Sequence, residues 1–177
     1  PRYKGVQSFL ESRGIDLDFG DAGDGTDKET VCGLGNRKNI KFVEVLKSQG
    51  VEVYQSTVDL IQELRSNGTR IGVASSSANC QYVLQTIGLE DLFETRVDGV
   101  VSKELGLKGK PEGDIFVTAA ANVGVTPDKA IVVEDAVSGV MKPQKKITAA
   151  VVAAIIFLNL HIDIFNVLIV VDHNFTI

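Results

Sequence analysis

Three groups of side chains in this sequence have the chemistry needed to bind and activate a phosphoryl group. Ser75 follows the apolar segment 70–74 and offers a hydroxyl and backbone N–H groups at a strand-to-helix transition, a natural anion site. Glu134 and Asp135 follow another apolar segment, and paired carboxylates suit Mg²⁺. Lys110 lies on a loop and supplies a movable positive charge. Together these groups indicate phosphoryl transfer, where catalysis is mainly positioning and charge neutralisation.

Alternating strands and helices must bring these groups together. The apolar pattern predicts three short strands and three helices, the first of these helices capped by Ser56 and closed by Asn67 and Gly68. The strands are expected at 70–74, 96–101 and 129–133, and the other two helices at 79–87 and 112–123. This alternation favours a parallel, doubly wound sheet. Ligands of such sheets bind beyond the carboxyl ends of the strands, where Ser75 and the Glu134–Asp135 pair would lie.

The first fifty residues have a different, largely helical pattern. A short helix is predicted over 2–13, with Val6, Phe9 and Leu10 on one face, followed by an Asp- and Gly-rich loop over 14–25. Thr26 and Glu29 have capping-box spacing and predict the start of a second helical stretch. Gly33 and Gly35 are expected to interrupt this helical stretch. The helix is expected to resume over 39–48 and to end at Gly50.

Three segments of the sequence resemble motifs of the haloacid dehalogenase superfamily, in its β-phosphoglucomutase-like subgroup. VASSSANC, GLKGKPEGDIF and IVVEDAVSGV are similar to the second, third and fourth motifs, and PRYKGVQSFLESRGI and LGNRKN resemble parts of the subgroup's helical cap. The resemblance covers residues 1–141. It implies an α/β fold, an incomplete Rossmannoid parallel-sheet core with a small helical cap. The domains expected are a partial cap over 1–51, a partial core over 52–141, and an apolar tail of uncertain origin over 142–177.

The resemblance assigns roles to the residues of the predicted sheet edge. Ser75 matches the phosphate-binding serine, and Lys110 matches the lysine that holds phosphate and nucleophile together. Glu134 and Asp135 match the acidic pair that anchors Mg²⁺ directly or through water. For each, the alternative is structural, as a helix cap, a solvated loop lysine or a strand-end cap pair.

Five further residues are implied less directly. Ser77 and Asn79 fall where neighbouring residues help to bind phosphate. Arg2, Arg37 and Lys38 fall where cap residues of the subgroup meet a substrate phosphate or hydroxyls, with ordinary surface charge as the alternative. The expected ligand is a small phosphorylated metabolite, a sugar phosphate in the leading interpretation, with hydrolysis and mutase transfer both open.

One family motif has no counterpart in the sequence. The first motif is a hydrophobic strand ending in Asp-x-Asp, which supplies the nucleophilic aspartate and the acid/base aspartate before the cap. Asp16 and Asp18 imitate the spacing, but they follow Ser-Arg-Gly rather than a buried strand and lie within the cap match. The chain is therefore expected to be a fragment, inactive without the nucleophile. The alternative from another class is a non-catalytic phosphate-binding module.

Charge and cysteine content indicate which kinds of partner and which cellular compartment to expect. Net charge is −5, and the basic residues are scattered, which argues against a nucleic-acid groove. Cys32 and Cys80 lack metal-ligand spacing, and reduced thiols suit a cytoplasmic protein. A monomer is expected.

The tail departs from the rest of the sequence. Its longest apolar run, 149–158, is ten residues, against the roughly 20 that a membrane helix needs, so a membrane span over 147–171 is the least favoured hypothesis. His161 and His173 have no partner pattern, and Pro143 would break the helix begun at Ala136. The family pattern ends at Met141.

Overall fold

A computed structural model of the chain describes residues 2–109 and 112–133 and, as backbone, residues 166–169. The chain divides into two compact units, residues 1–50 and 51–177. Their predicted assignment as cap and core, and the predicted boundaries at 51 and 141, stay predictions. Among the described residues no helix has the length and apolar character needed to cross a bilayer. Most of the 147–171 window lies outside them.

The first unit consists of two helices joined by the predicted acidic loop. Helix α1 spans Arg2–Glu11 and helix α2 spans Val31–Gln49. The predicted apolar face of α1 buries no residue, and Phe9 is exposed with the Arg13 guanidinium stacked over its ring. Helix α2 ends at Gly50 as predicted, where a φ of 71° favours glycine.

The predicted start of the second helix is wrong. Helix α2 is capped by Thr30, whose Oγ1 accepts a hydrogen bond of 2.9 Å from the Gly33 N–H. The same hydroxyl donates to Asp24 at 2.6 Å, and this bond holds the pKa of the Asp24 carboxyl below its usual value. Thr26 and Glu29 both lie before the helix begins.

The two glycines expected to interrupt this helix lie inside one continuous helix. A Cβ on Gly33 would stand 2.3 Å from the Lys28 carbonyl oxygen, and a Cβ on Gly35 would stand 2.7 Å from the Tyr3 ring. Neighbouring chain therefore approaches the helix backbone at both positions. These glycines permit close packing and do not break the helix.

The second unit alternates helices and strands. In chain order its elements are α3 (Gln55–Ser66), β1 (Ile71–Ala74), α4 (Cys80–Thr86), β2 (Thr95–Val97), α5 (Gly99–Glu104), α6 (Asp114–Asn122), β3 (Ile131–Val133) and β4 (Asn166–Ile169). Short 3₁₀ turns occupy Glu90–Leu92 and Pro127–Lys129. Two predictions need correction. Ser56 does not cap α3, which begins at Gln55 after Tyr54, and the expected strand over 96–101 ends at Val97 because Asp98 starts a helix.

The four strands form one sheet in the order β2-β1-β4-β3. β1 is parallel to β2, and β4 is antiparallel to both β1 and β3. Strands β1, β2 and β3 therefore run in the same direction, as the α/β pattern predicts, and β4 runs against them. Helix α6 packs its apolar residues on this sheet, and the shared core contains Ala74, Val97, Phe116, Ala120 and Val132. Buried apolar strands of this kind are typical of sheets covered on their faces by helices.

Candidate functional site

The loop that follows β1, residues 75–79, is built from hydroxyl-to-backbone hydrogen bonds. Ser75 is completely buried, and its Oγ accepts a bond of 3.1 Å from the Ser77 N–H. The Ser77 Oγ accepts in turn from the Asn79 N–H at 3.1 Å, and helix α4 begins at the next residue. Two consecutive serine turns of this kind fix the backbone without strand or helix pairing. We call this segment the β1–α4 loop.

Two backbone N–H groups of this loop, those of Ser76 and Ala78, are not used in its internal hydrogen bonds. Within the described part of the chain, the N–H groups of Ser76 and Ala78 donate to no protein atom. Ala78 is exposed, and Ser76 is half-buried. Backbone N–H groups in turn conformations can donate hydrogen bonds to an anion. The β1–α4 loop has the donors that a phosphoryl oxygen requires.

The loop is attached to the segment that follows β2. The Ser75 N–H donates to the Val97 carbonyl at 2.9 Å, and the Gly99 N–H donates to the Ser77 carbonyl at 3.1 Å. Between these two contacts lies Asp98, a fully buried carboxylate. Sequence reasoning missed Asp98 and Gly99 because it assigned both to the interior of a strand. The signal available was an Asp-Gly pair, which is typical of a helix cap or a turn.

Beneath the loop, Cys80 is a buried thiol. Loss of solvation on burial raises the pKa of Cys80 to about 12, and the nearby negative charge of Asp98 acts in the same direction. A hydrogen bond from Ser75 and the positive charge of Arg96 oppose this shift. The thiol is therefore neutral at physiological pH, and it has none of the thiolate character that a nucleophile needs.

The other predicted members of the sheet-edge site, Lys110, Glu134 and Asp135, lie outside the described residues. Val133 is the last described residue of β3, and β3 runs in the same direction as β1. The carboxyl ends of β1 and β3 therefore lie at the same edge of the sheet. Within the described ranges, no three His, Cys, Asp or Glu side chains are grouped as a metal site.

The three predicted basic residues of the first unit have individual surroundings. The Arg2 guanidinium donates to Asn39 at 2.8 Å and to Asn36 at 3.4 Å. Arg37 forms an ion pair of 2.9 Å with Glu29, and Lys38 is exposed. The Arg2 and Arg37 contacts join elements within the unit, and their predicted contacts with substrate stay predictions.

Asn36 is a structural residue that the sequence did not single out. Its amide group donates to the carbonyls of Ala22 (3.1 Å) and Asp24 (2.9 Å), and its Oδ1 accepts from the Tyr3 hydroxyl at 2.9 Å. One side chain thus ties α1 and the acidic loop to α2. No local sequence pattern encodes such a set of partners.

Comparison with known proteins adds to this geometry. The family model described as haloacid dehalogenase-like hydrolase matches residues 2–141. A β-phosphoglucomutase of Mycobacterium bovis is 45% identical over 139 residues, which are 78% of this chain and 53% of that protein. A β-phosphoglucomutase of Bacillus subtilis is 38% identical over 81 residues, 46% of this chain and 34% of that protein.

Another mycobacterial protein is similar over a comparable length. An uncharacterized glycosyl hydrolase of Mycobacterium tuberculosis is 33% identical over 135 residues, 76% of this chain and 10% of that protein. The chain spans about half the length of the mycobacterial β-phosphoglucomutases that it matches. The β1–α4 loop and the Asp98–Gly99 segment both fall within the matched residues.

Proposed function

Because the chain belongs to the haloacid dehalogenase-like hydrolase family, we propose that its β1–α4 loop binds the phosphoryl group of a phosphorylated sugar. The observation that carries the proposal is the pair of N–H groups at Ser76 and Ala78, which donate to no atom of the described residues. These donors lie beyond the carboxyl end of β1, the end at which α/β sheets bind ligands. The relatives named β-phosphoglucomutase support a phosphoglucose as the ligand.

The remaining groups of the proposed site divide the work of phosphoryl transfer. Ser75, with Ser77 and Asn79, shapes the loop and adds hydroxyl and amide groups toward the phosphate. Lys110 offsets the charge of the phosphoryl oxygens. Glu134 and Asp135 hold Mg²⁺, since hard carboxylate oxygens are the ligands that this ion takes together with substrate phosphate. When bound, the ion supplies further neutralisation of phosphoryl charge.

The first unit has the role of a cap in this proposal. Residues 1–51 are the proposed cap, which selects the sugar, and residues 52–141 are the proposed core, which binds its phosphoryl group. Arg2, Arg37 and Lys38 are the proposed contacts with its phosphate or hydroxyls. A monomer is sufficient for this arrangement.

We expect the 177-residue chain to bind phosphate without turning over a sugar phosphate. No residue of the sequence matches the nucleophilic aspartate, so no covalent aspartyl-phosphate can form on it. A phosphatase screen of the purified chain with glucose phosphates and Mg²⁺ measures this directly. Turnover that Lys110→Ala abolishes would show that the chain contains its own nucleophile.

Phosphate binding itself is tested by Ser75→Ala. The variant loses the hydroxyl that receives the Ser77 N–H, and we expect the Kd for inorganic phosphate to rise about tenfold or more. Titration followed by amide NMR signals of residues 76–78 provides the measurement. Ser66→Ala is the matched control, because that hydroxyl bonds the Glu63 carbonyl at the end of α3. Equal affinity in wild type and Ser75→Ala would contradict the assigned role of Ser75.

A further inference from the structure

The Asp98–Gly99 segment contacts the β1–α4 loop backbone to backbone. A Cβ placed on Gly99 would lie 2.8 Å from the Ala78 nitrogen and 2.8 Å from the Ser76 carbonyl oxygen. Both distances are shorter than real Cβ atoms show, and both partners are main-chain atoms that cannot rotate away. Only glycine allows this approach. Ala78 is one of the two residues whose N–H is proposed to receive the phosphate.

Asp98 fixes the position of Gly99. Its Oδ1 accepts bonds from the N–H groups of Val100 (3.0 Å) and Val101 (3.1 Å), the N-cap interaction that begins α5. Its other carboxylate oxygen pairs with Arg96. The side chain is fully buried, and an ion pair with two N–H donors fixes its orientation, because rotation would break these bonds and leave the charge without Arg96.

The N-cap position determines where the next residue can lie. The Gly99 N–H points to the Ser77 carbonyl at 3.1 Å, and the Ser75 N–H reaches the Val97 carbonyl at 2.9 Å. Residues 97 and 99, at the two ends of one short segment, therefore both bind the β1–α4 loop, and Asp98 lies between them. A shift of that segment must move the loop.

We propose that Asp98 and Gly99 are positioning residues that set the phosphate affinity of the β1–α4 loop, Gly99 by contact with its backbone and Asp98 by holding Gly99. This inference rests on the proposed function of the loop. The Asp98–Arg96 ion pair also explains how a negative charge can lie next to a phosphate site. Asp98 would repel a phosphoryl group if it were uncompensated, and Arg96 offsets that charge.

The first test is Gly99→Ala, with Gly124→Ala as the matched control. Gly124 has a φ of 75° and open space around it, so alanine there strains the backbone without touching the loop. We expect Gly99→Ala to raise the Kd for inorganic phosphate about tenfold or more and to shift the amide signals of residues 76–78. Gly124→Ala should lower the Tm and leave the Kd unchanged. A folded Gly99→Ala protein with the wild-type Kd would overturn the proposal.

A second pair of variants covers the case in which Gly99→Ala does not fold. Asp98→Ala removes the N-cap acceptor and should weaken phosphate binding. Asp98→Asn keeps an acceptor of similar capping strength but loses the charge that pairs with Arg96, and it should bind phosphate more tightly than Asp98→Ala by the share of the effect that belongs to the cap. Equal phosphate affinity in Asp98→Ala and wild type would overturn the role of Asp98.

The wild-type titration separates this inference from the proposed function. If phosphate moves no amide signal in the wild-type protein, the loop is not a phosphate site and the affinity claim fails with it. The phosphate-free spectra still report whether Gly99→Ala displaces residues 76–78. Unchanged spectra there, beside a wild-type protein that does bind phosphate, would refute the positioning role alone.

Discussion

Cys80 connects the pH of the solution to the stability of the second unit. Its pKa is about 12 in the folded protein, chiefly because burial removes water from the thiolate. In the unfolded chain a cysteine titrates near 8.5. The folded state therefore holds this proton more tightly. The resulting stability is fully present below about pH 8.5 and is lost as the pH rises toward 12.

We expect the free energy of unfolding to fall by up to about 1.4 kcal/mol per pH unit above pH 8.5 from this group. Urea unfolding of wild type and Cys80→Ala at a series of pH values measures it, because Cys32 and the other titrating groups are common to both proteins. The difference between the two should shrink as the pH rises. A difference that is constant from neutral to alkaline pH would contradict the assignment.

The residues of the candidate site were predictable to unequal degrees. Ser75 could be found because a polar residue ends an apolar strand, a pattern contained in consecutive residues. Gly99 could not, since its requirement comes from loop backbone about twenty residues earlier in the chain. Asp98 lies in a stretch that reads locally as strand. The Asp-Gly pair indicates a cap or turn there, but the burial of Asp98 beside Arg96 is visible only in the structure.

At the scale of the element, two threonines near the start of α2 have different roles: Thr30 caps the helix, and Thr26, the predicted start, does not. Thr30→Ala removes the hydroxyl that accepts from the Gly33 N–H and donates to Asp24. We expect a loss of about 1 kcal/mol in the free energy of unfolding of the first unit. Thr26→Ala is the control and should change it by less than about 0.5 kcal/mol. The helical circular dichroism signal during urea unfolding measures the stability of both variants. Equal losses in the two variants would contradict the assignment of Thr30 as the helix cap.

The C-terminal ends of α2 and α3 were easier to predict than the helix starts or the interior of α2. Gly50 and the Asn67–Gly68 pair end their helices as expected, because a glycine at positive φ is a local requirement. Positions 33 and 35 are glycine for a different reason, because a side chain there would collide with Lys28 or Tyr3. Composition alone cannot distinguish a glycine that turns the chain from one that admits a neighbour.

At the scale of the whole molecule, β4 joins the two parts of the sheet. Leu168 pairs with Gly72 of β1 on one side and with Val132 of β3 on the other. Leu168→Pro removes an N–H from a central strand, and we expect it to cost about 3 kcal/mol or more. Leu168→Ala is the control, because it changes the side chain and leaves the backbone donor in place.

Urea unfolding and amide hydrogen exchange at Gly72 and Val132 report the outcome. Exchange at both positions should accelerate in Leu168→Pro beyond its rate in Leu168→Ala. Equal stability and equal exchange in the two variants would mean that β4 contributes no backbone pairing to the sheet.

The place of β4 in the sheet also has a consequence for biosynthesis. Asn166 pairs with Ala74, about ninety residues earlier, so the sheet cannot close until synthesis has passed residue 166 and that segment has left the ribosome. Until then β1 and β3 each present an open edge, and open edges pair readily with strands of other chains. A nascent chain stalled before residue 166 would therefore need a chaperone, or low concentration, to avoid aggregation through β1.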